Sequence, residues 1–168
     1  MMNNKLIYVL SKICEDSLPG KKTVQKLIYL VERKGLDLEL DYTIHFYGPY
    51  SADLEHALHV MESNNLISIN TSGMTHTIKM PKRQRNSPLD ARENNVLDNV
   101  LSEFTNKSPL ELEVITTTDY AANEMIESSE LSQENIISLV KKIKGDKFSE
   151  IQIIRSIEIL KQHDLLKI

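Results

Sequence analysis

GKKTVQKLIYLVERKGLDLELDYTIHFYGPYSADLEHALHVMESNNLISI, residues Gly20 to Ile69, passes from a helical hydrophobic period to an alternating one and back again. Val24, Leu27, Ile28 and Val31 recur at the spacing of one helical face, with Thr23 opening the run and Gly35 closing it. From Leu38 to Tyr47 the period drops to two, with Leu40, Tyr42, Ile44 and Phe46 on one side and Asp41, Thr43 and His45 on the other, which predicts a strand. Gly48-Pro49 forces a turn, and Ser51 is placed to cap a helix that buries Leu54, Ala57, Leu58 and Met61 and stops at Asn64-Asn65.

Upstream, Leu6, Ile7, Leu10, Ile13 and Cys14 share a face of a helix expected over residues 3–16, which Leu18-Pro19-Gly20 ends. Downstream, Leu66 to Ile69 and Thr75 to Met80 alternate like two strands joined around Ser72-Gly73. The order helix, helix, strand, helix, strand, strand predicts a winged helix-turn-helix-like domain over residues 1–80, mainly α with a small antiparallel β wing. Residues 81–93, PKRQRNSPLDARE, have no hydrophobic face and two prolines, and are expected to be a linker. A helical carboxyl-terminal region, 94–168, packed on the first domain, completes the expected fold. Its signals are the apolar stripe Val96, Leu97, Val100, Leu101 and Phe104, a capping box at Ser108-Pro109-Leu110-Glu111, a start at Ser132 with a break at Gly145, and a second cap at Ser149 with Gln152. Displaced by 99 residues, Leu54, Leu58, Met61 and Leu66 fall on Ile153, Ile157, Leu160 and Leu165, so the last helix either repeats the third or shares its punctuation by chance.

Composition limits the function classes. With 40% apolar and 26% charged residues in 168, the chain is expected to be globular. The amino-terminal apolar run is short and interrupted by Lys5, Lys12 and Glu15, unlike a signal peptide or a membrane span, so a cytoplasmic location and no membrane partner are expected. A lone cysteine, Cys14, has no second thiol for a disulfide or a zinc pair and reads as core. Residues 1–86 carry 11 Lys+Arg against 9 Asp+Glu, whereas residues 87–168 carry 9 against 15, so the two halves differ in sign.

Gly48-Pro49-Tyr50-Ser51 is the sharpest local signal. It is either a purely structural turn and cap or, with Tyr47, a surface for a ligand or partner. No glycine-bracketed elbow surrounds Ser51, so a serine nucleophile is not expected, and a hydrolase would need Ser51, His56 and His59 to converge. His56 and His59 lack the zincin spacing and a committed third ligand, and there is no phosphate-binding glycine motif. No enzyme activity, metal or cofactor is expected. A DNA-reading helix after the turn would expose Arg, Lys, Asn or Gln, but the expected exposed positions here are Asp53, Glu55, His56, His59, Glu62 and Ser63. Basic residues fall instead at Lys21, Lys22 and Lys26 and at Lys79, Lys82, Arg83 and Arg85, where they would contact phosphates if a dimer bound DNA.

Gly20 to Leu30, followed by Phe46-Tyr47-Gly48-Pro49-Tyr50-Ser51 and Leu54, resembles the YwgA-like family of small, largely uncharacterised bacterial proteins, with its Lys-Leu/Val-Gln-Lys helix and Phe-Tyr-Gly-Pro-Tyr-Ser turn. Leu110-Glu111-Leu112-Glu113 with Thr116 to Tyr120, and Lys147-Phe148-Ser149, resemble the family's carboxyl halves. Gln-Lys-Leu-Ile-Tyr-Leu and Gly-Pro-Tyr are similar, more distantly, to the antitoxin and adaptor domain called Panacea, or SocA-like. Together these readings imply a non-enzymatic protein-interaction module of antitoxin or adaptor type, with Tyr47, Gly48, Pro49, Tyr50 and Ser51 at the partner surface. The alternative is a winged-helix transcriptional regulator acting as a homodimer on DNA.

Overall fold

The computed structural model describes residues 3–81 and 86–168. Among the described residues the chain is mainly helical, with two small two-stranded sheets. It divides into two compact units, one of Met1–Thr43 and Tyr50–Lys107, the other of Ile44–Pro49 and Ser108–Ile168. The boundary expected at residues 81–93 falls inside the first unit. Asp90 and Glu93 there form a capping box, the Asp90 carboxylate accepting from the Glu93 N–H at 2.8 Å and Glu93 accepting from the Asp90 N–H at 3.1 Å. Helix growth therefore starts at Ala91, and the helix packs on one from the amino-terminal half.

In the first unit, α1 (Asn4–Ile13), α2 (Lys21–Arg33), α3 (Ala52–Ser63) and α4 (Ala91–Phe104) bury the stripes read from the sequence, except that Ala57, Val96 and Leu101 are only half-buried. Asn3 caps α1, accepting from the Lys5 and Leu6 N–H groups, while its amide donates to the Leu38 carbonyl at 3.1 Å. Cys14 is buried, and burial pushes its thiol up to about 11, as expected of a core residue.

The strand predicted over Leu38–Tyr47 is regular only at β1 (Thr43–His45). Its first half is diverted by Glu32, whose Oε1 accepts from the Leu38 N–H at 2.8 Å and the Leu40 N–H at 3.3 Å. Backbone donors that a ladder needs are thus spent on a side chain, and Glu39 at φ 60° breaks the alternation. β1 pairs with β2 (Gly48–Tyr50), while β3 (Ser68–Ser72) pairs antiparallel with β4 (Thr75–Lys79) in the register Ser68↔Lys79 to Ser72↔Thr75. The Ile78 N–H donates to the Pro19 carbonyl and Gly20 bridges Thr77, so the start of α2 is tied to this second hairpin.

The second unit contains α5 (Pro109–Tyr120), α6 (Gln133–Lys144) and α7 (Glu150–Gln162), with a π-helical turn at Ala121–Met125 and a 3-10 turn at Gly145–Lys147. Capping boxes open α5 at Ser108 and α7 at Ser149, where the sequence places them. α5 packs on α7 and α6 and is buried along Leu112 to Asp119, including Glu113, Thr116, Thr117, Thr118 and Asp119. The two helices aligned by the 99-residue echo, α3 and α7, end alike. Asn65 and Asp164 both adopt positive φ, 57° and 54°, and the next N–H, of Leu66 or Leu165, reaches back to the carbonyl of Met61 or Leu160. α2 stops in the same manner at Gly35 and Leu36, which lie outside the echo, so the shared ending of α3 and α7 is a common helix-ending motif.

Candidate functional site

The Phe46-Tyr47 turn between β1 and β2 is the most exposed aromatic feature among the described residues. Phe46 is 70% exposed, and its ring meets Tyr47 edge to face at 4.9 Å. Gly48 follows in the left-handed region at φ 102°, a conformation that L side chains rarely adopt. Its backbone also lies close to α5: a Cβ there would stand 3.1 Å from Thr117 Oγ1 and 3.5 Å from Thr116 Oγ1. Gly48 and Pro49 are both buried, so the turn projects from a seated base.

Three ionic side chains of the second unit hold that turn. Glu113 on α5 and Lys144 at the end of α6 are nearly sealed from solvent, with side chains 6% and 4% exposed. Lys144 Nζ donates to Glu113 Oε1 at 3.0 Å, to the His45 carbonyl at 3.3 Å and to the Phe46 carbonyl. Its three protons therefore have three acceptors, two of them backbone oxygens of the turn. Burial pushes the Lys144 ammonium below the usual lysine range, against the support of Glu113. Gly145, at φ 58°, takes the chain out of α6, and Lys147 returns to place its Nζ 2.7 and 2.9 Å from the two oxygens of Glu113. The same ammonium lies 5.2 Å from the centroid of Phe46, 5.4 Å from Tyr47 and 5.7 Å from Phe148. Two cations thus share one carboxylate beneath an exposed aromatic turn.

The five residues singled out from the sequence have separate duties. Tyr47, Gly48 and Pro49 belong to the second unit, and Tyr50 and Ser51 to the first. Ser51 is fully buried and accepts from the Leu54 N–H at 3.2 Å, capping α3 as expected. Its backbone is paired on both sides with one side chain: Gln25 Nε2 donates to the Ser51 carbonyl and the Ser51 N–H donates to Gln25 Oε1, each at 3.0 Å. Tyr50 is half-buried beside Glu55, and burial, with that carboxylate, pushes its phenol upward.

The basic residues considered for phosphate contact are dispersed in role. Lys21 is ion-paired with Glu55, and Lys26 is 2% exposed, with its ammonium donating to the Lys22 carbonyl at 3.1 Å. Lys22 and Lys79 are exposed, while Lys82, Arg83 and Arg85 lie outside the described residues. On α3, His59 Nε2 is 3.1 Å from Glu55, and Asp53 and His56 face solvent. Among the described residues, no three His, Cys, Asp or Glu side chains are grouped as a metal would require, and no helix is long and apolar enough to cross a membrane.

Sequence reading missed Gln25, Glu113, Lys144 and Lys147 as parts of these sites. The family resemblance touches three of them, Gln25 within Gly20 to Leu30 and Glu113 and Lys147 in the carboxyl half, without assigning any of them a role. No family model matches the chain. Over 75 residues it is 36% identical to the uncharacterised protein YwgA of Bacillus subtilis (strain 168), an alignment covering 44% of this chain and 40% of that protein. The chain therefore spans less than half the length of the curated relative it matches.

Proposed function

We propose that this chain is a non-enzymatic protein-interaction module of the antitoxin or adaptor type, with a winged-helix-like first unit and a partner surface centred on Phe46 and Tyr47. The observation that carries the reading is a phenylalanine ring 70% exposed on a turn whose own carbonyls are held by the buried Lys144. Seating that ring in a partner would contribute roughly 1.5–3 kcal/mol from apolar burial. Because the turn is already ordered, little of that gain is spent on fixing it. The DNA-regulator reading draws less support, since Lys21 is paired, Lys26 is buried and α3 turns Asp53 outward.

Affinity capture from the native cell, with the wild-type chain and Phe46→Ala as parallel baits, tests the proposal. One protein recovered in stoichiometric amount by the wild type and lost with Phe46→Ala is the expected result. Recovery of a specific DNA fragment, with affinity falling steeply as salt rises, overturns it in favour of the dimeric regulator. Equal recovery by both baits overturns the assignment of the turn.

A further inference from the structure

We infer that the segment seated on the Phe46-Tyr47 turn is an acidic peptide of the partner, one that sets a carboxylate on Lys147 and an apolar side chain on Phe46; this rests on the docking role proposed above. Residues 108–168 carry eleven Asp+Glu and seven Lys+Arg, yet four of the seven cations, Lys141, Lys142, Lys144 and Lys147, fall within seven residues. Two of those four converge on Glu113 beneath the turn. With one carboxylate for two ammoniums, the base of the turn has an excess of one positive charge in an otherwise acidic segment.

The two lysines are not equivalent. Lys144 is sealed and all three of its protons are directed to acceptors, whereas the Lys147 side chain is 30% exposed and reaches the surface beside the Phe46 ring. Lys147 has only a share in Glu113, which Lys144 also uses, so a neutral or basic segment covering Phe46 would strip its remaining water and leave two ammoniums on one carboxylate, and an ion removed from water is tolerated only when fully compensated. A carboxylate next to an apolar side chain meets both demands at once. Duplex nucleic acid would supply the charge, but its bases are stacked on one another and leave no open face to cover the ring; a single strand offers both phosphate and a free base face, and its binding with affinity equal to the acidic peptide overturns the inference.

Fluorescence anisotropy on the full chain tests this with three labelled peptides: glutamates and serines around a central Phe-Leu pair, the same peptide with lysine for every glutamate, and the acidic peptide with serine for the Phe-Leu pair. The first is expected to bind at least about tenfold more tightly than either of the others, as charge and apolar contact act together. Its affinity should fall several-fold between about 50 and about 500 mM salt. Phe46→Ala and Lys147→Met are each expected to weaken it about tenfold, while Lys147→Arg, which keeps the cation, restores most of the binding and Lys161→Met leaves it unchanged. Thermal melting of each variant separates lost binding from lost fold.

Equal binding of acidic and basic peptides, or no peptide binding, overturns the inference. If capture of a protein still depends on Phe46 in that case, the docking role stands and only the acidic character of the partner falls. Concentration-dependent self-association abolished by Phe46→Ala makes a second copy the occupant and overturns it too. So does a duplex oligonucleotide that displaces the acidic peptide with equal affinity.

Discussion

Gln25 does with one side-chain amide what a neighbouring strand would do with its backbone. It fills both hydrogen-bonding positions of Ser51, which in turn caps α3. Gln25→Ala strands a buried N–H and a buried carbonyl, each worth roughly 1–3 kcal/mol when left unpaired. Urea denaturation is expected to show a loss of that size, with Gln25→Glu recovering only the acceptor half. The sequence placed the cap at Ser51 because a hydroxyl before an apolar-periodic run is a local signal. Gln25 falls in the stretch that resembles the YwgA-like family, yet its duty was not legible, because an amide on a helix carries no mark of the backbone 26 residues away that it will meet. Gly48 is the second decisive residue. At φ 102°, with Thr117 Oγ1 3.1 Å from a would-be Cβ, Gly48→Ala is expected to lower stability by about 1–3 kcal/mol in chemical denaturation, combining backbone strain with crowding. The requirement for glycine was legible from Gly48-Pro49; the helix that crowds it was not.

The helices were the most legible elements, since their starts and stops are written in neighbouring residues. Ser108, Ser132 and Ser149 cap α5, α6 and α7, and each accepts from the N–H three residues on. Ser149→Ala is expected to remove about 1 kcal/mol, read as a lower urea midpoint, with Ser149→Asp restoring it. The strand between α2 and α3 was the least legible. Period-two alternation over Leu38 to Phe46 is what a strand would show, but alternation says nothing about whether a partner exists for the backbone. Glu32 captures two of those N–H groups, and Phe46, placed by the pattern on a face with Leu40 and Tyr42, stands in solvent at the turn. Of the positions expected outward on α3, Asp53, His56, His59 and Ser63 are exposed, whereas Glu55 is half-buried and paired with Lys21 and Glu62 is half-buried and accepts from the Ile69 N–H at 3.1 Å. Lys26 was misjudged as a surface cation, because a long apolar stem lets a lysine lie on the buried side of an amphipathic helix.

For the whole molecule, pH is the most direct probe of how buried charge is held. Burial raises the Glu32 carboxyl above its ordinary value of 4.5, outweighing the Leu38 and Leu40 N–H groups and the Tyr42 hydroxyl that favour its ionised form. The folded chain therefore holds this proton more tightly than the unfolded chain does. The resulting contribution to stability is fully present below 4.5 and is lost as pH rises through the elevated folded value. Glu32→Gln keeps an acceptor for the two N–H groups and removes the titration. Its stability relative to wild type is expected to improve from about pH 4 to about pH 8 in urea denaturation, and a pH-independent difference would contradict the assignment. Sequence by itself determined where helices begin and end, that the turn at Gly48-Pro49 is tight, and that the two halves differ in charge, because periodicity, capping and φ preference act within a few residues. Only the tertiary structure decided that residues 44–49 are grouped with Ser108–Ile168, that Gln25 completes Ser51, and that Lys144 and Lys147 meet on Glu113 under Phe46. Those depend on groups 26 to 99 residues apart, and no local preference reports where the chain will bring such groups together.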